Sequence, residues 1–271
     1  MCRILFKIGP FAIKSYGLML VLAFVAGTLL ALGRGKKAGI KPEKILDLTL
    51  LILISSLIGS RFFYVIFHLD EFRGHFLDVI NPFQSSGEIG IGGLSMMGGV
   101  LLAIVAGLGY LYYKKLPLWK VADIVSPSFA IGLGIARIGC FLNGCCPGKP
   151  TTSFLGVVFP PDSFAGYFFQ NTKLLPTQIF ESLAGFILFF LLIFLERFKS
   201  FEGYTFWIML SFYSAWRFII DFFRYYEESM VFARIGYINF SMNQVVSLLI
   251  LLVSISMWFY FKSRKESSKT V

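Results

Sequence analysis

Apolar residues fall into seven runs separated by short polar stretches, at about 13–32, 45–67, 91–113, 121–141, 176–195, 204–223 and 243–261. A helix rising about 1.5 Å per residue needs roughly 20 residues to cross a hydrocarbon core of about 30 Å, and each run is long enough. Helices are the default because a lipid-exposed backbone must satisfy its own hydrogen bonds. The pattern predicts an all-α polytopic membrane protein with about seven transmembrane helices, forming one integral membrane domain over 1–271. No repeat of helix pairs and no low-complexity tract is evident. The first twenty residues, MCRILFKIGPFAIKSYGLML, lack a short apolar region ending in an A-x-A-like cleavage site. Their apolar run is expected to be a retained span.

Composition agrees. Hydrophobic residues make up 56% of the chain and charged residues 15%, against about 25% charged in ordinary soluble domains. A disordered chain and an ordinary soluble domain are both excluded. The net charge of +10 would hint at nucleic acid in a soluble protein; in a membrane protein its location matters more, and no nucleic-acid partner is expected. Arg34, Lys36, Lys37, Lys41, Lys44, Lys114, Lys115, Lys120, Arg197, Lys199, Lys262, Arg264, Lys265 and Lys269 lie on one side of a seven-span topology. Only Arg3, Lys7, Lys14, Arg73, Lys149, Lys173, Arg224 and Arg234 lie on the other, in longer segments. By the positive-inside rule the N-terminus is outside and the C-terminus cytoplasmic. Residues 142–175 then form the main outward-facing loop and 262–271 a basic cytoplasmic tail.

The remaining basic residues, Arg61, Arg137 and Arg217, fall inside spans, where each costs roughly 2.5–3.5 kcal/mol at mid-membrane. Counted from the cytoplasmic ends, they lie about 24, 24 and 20 Å along three different helices. Glu181 and Tyr16, near the outer ends of two more helices, share that level. In the sixth span Arg217, Asp221 and Arg224 are spaced i, i+4, i+7, so Asp221 can pair with either arginine. One reading is structural: ion pairs, or arginines snorkelling to outer headgroups. The other is an electropositive cavity for an anion, because guanidinium forks match phosphate oxygens in pairs. A phospholipid headgroup is the obvious anion at that depth.

Asp123 opens the fourth span and is expected to cap that helix. The stretch GEIGIGGLSMMGGV opens the third span, and its glycines (Gly87, Gly90, Gly92, Gly93, Gly98, Gly99) allow tight turns or close helix contact. Cys140, Cys145 and Cys146 are badly placed for one tetrahedral zinc site, with no nearby histidine. They read as small packing residues, or as a disulfide to Cys140; no metal and no cofactor is expected. Of the two histidines, His68 and His75, either could accept a proton near neutral pH.

In order, Tyr16-Gly17-Leu18, Gly59-Ser60-Arg61 with Tyr64, Gly93-Leu94-Ser95 with Gly98-Gly99, Asp123, Arg137-Ile138-Gly139 with Phe141, Asn143-Gly144 and Gly148, Pro176-Gln178-Glu181, and Arg217-Phe218 with Asp221 and Arg224 resemble the prolipoprotein diacylglyceryl transferases. The likeness covers nearly the whole chain. It implies seven spans with the N-terminus outside, in the bacterial cytoplasmic (inner) membrane, with the active site towards the outer face. The implied activity moves the diacylglyceryl group of phosphatidylglycerol onto the lipobox cysteine of a preprolipoprotein, forming a thioether. It also implies Arg217, Tyr16 and Asp221 as catalytic positions, and Arg137, Arg61, Asn143, Gly148, Glu181 and Arg224 as substrate-binding ones. Its partners are then phosphatidylglycerol, the lipobox segment and membrane lipids. Ala136, Cys140, Cys145, Met97 and Leu175 depart from the family pattern, where glycine, asparagine, glutamate, histidine and histidine are common. A methionine cannot take a proton, so a histidine base at position 97 is absent from this chain.

A transporter or binder of an anionic, lipid-like substrate would also want buried arginines, but transporters often show repeats. A membrane scaffold leaves three arginines at one depth unexplained. The charge asymmetry makes a direct prediction. In a cysteine-free background, single cysteines at 37, 115, 199 and 265 label only from the cytoplasm, and those in 142–175 label from outside. Labelling of position 115 from outside intact cells would contradict the topology.

Overall fold

The computed structural model describes residues 3–8, 11–72, 79, 93–226, 231–235 and 238–267. All seven apolar runs are helices. A hairpin of β1 (Ile4–Ile8) and β2 (Phe11–Lys14) leads into α1 (Ser15–Lys37), followed by α2 (Pro42–Phe67), α3 (Met96–Tyr113) and α4 (Leu118–Asn143). A short α5 (Phe164–Phe168) precedes α6 (Thr177–Leu195) and α7 (Tyr204–Ile220). A second hairpin, β3 (Val231–Ile235) with β4 (Ile238–Ser241), leads into α8 (Met242–Ser267). Among the described residues, six helices are long and apolar enough to cross a membrane. The other long one, α7, has 17 residues, at the short end of the range of about 17–25 that spans. Large apolar side chains such as Leu29, Phe62 and Leu249 are each more than half exposed, as lipid-facing positions are. The chain is a multi-pass, all-α membrane protein.

It packs as two compact units, Leu32–Val121 and the remainder, Met1–Ala31 with Ala122–Val271. In the first of these, α2 and α3 lie in close contact because glycines face each other: Gly59 meets the Gly98 backbone and Gly99 meets Ser60, leaving no room for a Cβ at any of the three. α3 starts at Met96 rather than 91. Gly93 is left-handed (φ +67°) under the Tyr64 ring, a conformation that a helix cannot continue. Gly87, Gly90 and Gly92 lie outside the described residues.

The larger unit is built on α4, α6, α7 and α8. Ala130, Leu188, Leu192 and Met209 form a buried cluster, covered by Phe189, Phe206, Phe212 and Tyr213. α4 and α6 cross at Gly134 and Gly185, where a Cβ on Gly185 would stand 2.7 Å from the Gly134 nitrogen. Ser182 Oγ ties the crossing by donating to Gly134 O at 2.8 Å. Residues 142–175 fold as an ordered layer. Phe159, Ala165 and Leu174 are buried together there, and isolated bridges join Pro150 and Val157 to Leu174. α8 continues to Ser267, so Lys262, Arg264 and Lys265 belong to its last turns; Lys269 lies outside the described residues.

Asp123 corrects the sequence expectation. α4 begins at Leu118, which puts Asp123 in its second turn, where it caps no end of its own helix. Its carboxylate instead caps α7. It accepts from Gly203 N at 2.8 Å and Phe206 N at 3.0 Å, and pairs with Lys199 at 2.9 Å. Gly203, the α7 N-cap (φ +95°), has no side chain to do this. Asp123→Ala is expected to lower stability by about 2 kcal/mol, read as the apparent Tm in detergent. Lys199→Ala, which keeps both backbone bonds, should lower it less. Equal losses would contradict the capping role.

Candidate active site

The α4–α6 crossing fixes the site. Arg137 lies one turn beyond Gly134 on α4, and Glu181 one turn before Gly185 on α6, so close packing of the two backbones brings the side chains together. Glu181 Oε1 stands 3.2 Å from Arg137 Nη2, 2.8 Å from Arg217 Nη1 and 3.6 Å from Arg224 Nη1. Three guanidiniums therefore share one oxygen of a carboxylate that is 4% exposed.

Asp221 is held just as firmly. It pairs with Arg217 Nη2 at 3.2 Å, while Tyr226 OH donates to its Oδ1 at 2.8 Å and Ser241 Oγ to its Oδ2 at 2.7 Å. Tyr226 OH also accepts from Arg217 Nη2 at 2.9 Å and Asn243 Nδ2 at 3.3 Å. Burial pushes the Tyr226 phenol above its ordinary pKa, against the pull of Arg224 and Arg217, so it stays protonated and able to donate. The three arginines and two carboxylates leave one net positive charge in a largely buried cluster.

The helical i, i+4, i+7 face of the sixth span needs correcting. α7 ends at Ile220, and Asp221 is its C-cap. Arg224 reaches Glu181 from a turn, not from the helix. That turn is fastened to the segment after α4: Lys149 N donates to Phe223 O at 2.9 Å and Tyr225 N to Pro147 O at 3.1 Å, with Gly148 bridged to Arg224 between them. A Cβ on Gly148 would stand 2.8 Å from Leu175 Cβ and 2.9 Å from Thr177 Cγ2. Glycine at 148 thus permits the close approach of this segment to residues 175–177 at the start of α6.

The other expected residues surround this cluster or belong to the other unit. The Tyr16 ring, on the first turn of α1, lies against Gly139, two residues from Arg137. Asn143 ends α4, just before the turn that carries Cys145. All three cysteines are free thiols, so the disulfide alternative is not formed. Arg61 donates from Nε to Val79 O at 2.8 Å and from Nη1 to Gly93 O at 3.2 Å, with its guanidinium 5.0 Å from the Phe72 ring centre. His68 Nδ1 is 3.0 Å from Tyr64 O and its ring stacks on Tyr64; His75 lies outside the described residues. Met97 is exposed on the first turn of α3.

Tyr226 and Ser241 were not predicted from the sequence. Neither lies in an apolar span or a charge pattern, and both reach Asp221 from beyond the helix end. Gln178 appeared only through the family likeness. It is fully buried and donates from Nε2 to Cys145 O at 2.6 Å, which joins the turn after α4 to the start of α6.

Chemically, the cluster offers guanidinium forks and one excess positive charge, the equipment for a phosphate. Glu181→Gln keeps the shape but leaves three guanidiniums around a neutral amide. Breaking such a buried pair costs on the order of 3–5 kcal/mol, so the variant's apparent Tm should fall by several degrees. An unchanged Tm would mean that Glu181 does not hold the arginines.

Comparison with known proteins bears on this geometry. The family model described as prolipoprotein diacylglyceryl transferase matches residues 3–260. A Clostridium perfringens strain 13 protein named phosphatidylglycerol–prolipoprotein diacylglyceryl transferase 2 is 32% identical over 259 residues, 95% of each chain. A Listeria welshimeri protein, phosphatidylglycerol–prolipoprotein diacylglyceryl transferase, is 31% identical over 256 residues, 94% of this chain and 87% of its own. A Clostridium botulinum strain 657 protein of that name is 30% identical over 218 residues, 80% of this chain and 84% of its own.

Proposed function

Since this chain belongs to the prolipoprotein diacylglyceryl transferase family, we propose that it moves the diacylglyceryl group of phosphatidylglycerol onto the lipobox cysteine of a preprolipoprotein, the first step of bacterial lipoprotein maturation. It works in the bacterial cytoplasmic membrane. The N-terminus and residues 142–175 are outside, the 262–271 tail is inside, and the site opens to the outer face. The observation that carries the reading is the set of three arginines gathered on Glu181.

The substrate thiol loses its proton and its sulfur attacks the glyceryl carbon. The C–S bond forms as the C–O bond to phosphate breaks, and glycerol phosphate leaves. The phosphodiester enters with one negative charge and departs as a monoester carrying a second. Arg137 and Arg217 stabilise that developing charge, so their interaction strengthens along the reaction. Arg224 completes the electropositive wall. Glu181 holds the three forks together until the phosphate arrives.

Asp221 positions Arg217. Arg217, Tyr226 and Ser241 occupy three of the roughly four lone-pair sites of this carboxylate and fix it as a positioning group. Tyr16 and Asn143 border the entry to Arg137 and contact the lipid or the incoming peptide. The nucleophile belongs to the substrate, so the transfer requires no enzyme thiol.

Arg137→Lys tests the clamp. Lysine keeps the charge but loses the fork. Turnover at saturating phosphatidylglycerol is expected to fall on the order of a hundredfold, about 3 kcal/mol, with folding checked separately. Met97→Ala should change it much less. Near-normal turnover in Arg137→Lys together with a dead Met97→Ala would overturn the phosphate clamp.

A further inference from the structure

Only one oxygen of Glu181 is engaged by the arginines. Oε1 carries Arg137, Arg217 and Arg224, whereas Oε2 is screened from solvent and has no hydrogen-bond partner among the described residues. Gln178, three residues earlier on α6, is in the same position. Its Nε2 donates to Cys145 O, which fixes the orientation of the amide because a carbonyl only accepts. Its Oε1 is therefore an acceptor, and it too is buried without a partner among the described residues. Residues i and i+3 of a helix are neighbours on one face, roughly 5–6 Å apart at Cβ. α6 thus presents two unused acceptors side by side. A third such atom is a donor, Arg224 Nε, on the guanidinium whose Nη1 lies 3.6 Å from Glu181 Oε1. All three side chains are more than nine-tenths buried, with exposures of 0% for Gln178, 3% for Glu181 and 8% for Arg224.

We propose that Gln178, Glu181 and Arg224 form a diol-recognition subsite for the free hydroxyls of the glycerol headgroup, the part of phosphatidylglycerol that departs with the phosphate. The proposal rests on the transferase reading above for its lipid and deepens it by naming what selects the headgroup. A hydroxyl has one donor and two acceptor lone pairs. One headgroup hydroxyl donates to Gln178 Oε1. The other donates to Glu181 Oε2 and accepts from Arg224 Nε. Unmatched buried polar atoms cost free energy, so a ligand that supplies all three partners is favoured over one that supplies fewer.

Position favours the headgroup over the peptide as the source of these partners. Sulfur attacks the glyceryl carbon in line with the departing oxygen, so the peptide arrives on one side and the phosphate with its headgroup lies on the other. Glu181 and Arg224 belong to the phosphate side, since both are members of the arginine cluster. The headgroup hydroxyls sit on the second and third carbons from the phosphate oxygen, within reach of groups that adjoin the phosphate. The same three atoms disfavour an ethanolamine headgroup. An ammonium only donates, so it cannot accept from Arg224 Nε, and its charge is set against three guanidiniums. The arginine clamp alone does not distinguish glycerol from an apolar alcohol of equal charge; the subsite does.

The test compares three lipids with the same acyl chains: phosphatidylglycerol, phosphatidylpropanol (equal charge, no headgroup hydroxyl) and phosphatidylethanolamine. Each is given to purified full-length protein with a lipobox peptide, and kcat/KM is read from the peptide mass. Phosphatidylglycerol is expected to exceed each of the others by about tenfold or more. Gln178→Met has a similar length without the acceptor, and should bring the ratio of phosphatidylglycerol to phosphatidylpropanol to about threefold or less. It also loses the bond to Cys145 O, which lowers both rates alike and leaves their ratio alone. Gln178→Glu loses that bond but keeps an acceptor oxygen, so its ratio should stay near the native one. A native chain that uses phosphatidylpropanol as well as phosphatidylglycerol overturns the proposal, and so does a folded Gln178→Met with the native ratio. A raised KM for the peptide with the lipid ratio unchanged would assign the subsite to the peptide and also overturn it. If no lipid modifies the peptide, the transferase reading falls, and native mass spectrometry of bound lipid decides the subsite. Retention of phosphatidylglycerol over phosphatidylpropanol, lost in Gln178→Met, supports it; equal retention overturns it.

Discussion

One carboxylate oxygen organises this site. Glu181 Oε1 is the common partner of Arg137, Arg217 and Arg224, which come from α4, α7 and the turn beyond α7. An arginine inside a membrane is tolerated only with a partner or a water-filled path, and here one buried carboxylate partners three of them. Much of the surrounding structure serves that arrangement. Gly134 and Gly185 let α4 and α6 approach closely enough for Arg137 to reach Glu181. Gly148 lets the 147–149 segment pack on the start of α6 while bridging to Arg224. Asp221, Tyr226 and Ser241 fix the other side of Arg217. None of these supporting residues needs to touch a substrate for its loss to be felt.

The charge count then has a chemical consequence. In a medium of low dielectric, an uncompensated charge attracts a counterion far more strongly than it does in water. A cluster carrying one excess positive charge suits a singly charged phosphodiester. It suits still better the phosphate that gains a second charge as its ester bond breaks. Binding that strengthens as the bond breaks raises turnover and not affinity alone. A lipid phosphate in a leaving role is thus a better match to this cluster than an anion that merely passes through.

The helices were legible because hydrocarbon thickness imposes one length on every span. Arg137, Arg217 and Glu181 were legible because charge inside an apolar run is expensive and so carries information. Helix ends were less so. Gly93 stops α3 by its left-handed backbone, and α7 gives way to a turn at Asp221, which moves Arg224 off the helical face that its spacing suggested. Asp123 was identified as a cap, but of the wrong helix, since spacing along one helix says nothing about a neighbour packed beside it. Tyr226 and Ser241 were hidden for the same reason: their partners are distant in sequence, and polar residues outside the spans carry no periodic signal.

In the proposed reaction the arginine cluster stabilises a departing glycerol phosphate. The most direct test follows phosphorus by NMR while the protein turns over phosphatidylglycerol in the presence of a lipobox peptide, with the peptide product weighed by mass spectrometry. One glycerol phosphate is expected for each peptide that gains a diacylglyceryl group. Phosphorus that stays on lipid or peptide while free glycerol appears, or lipid left intact, would contradict it.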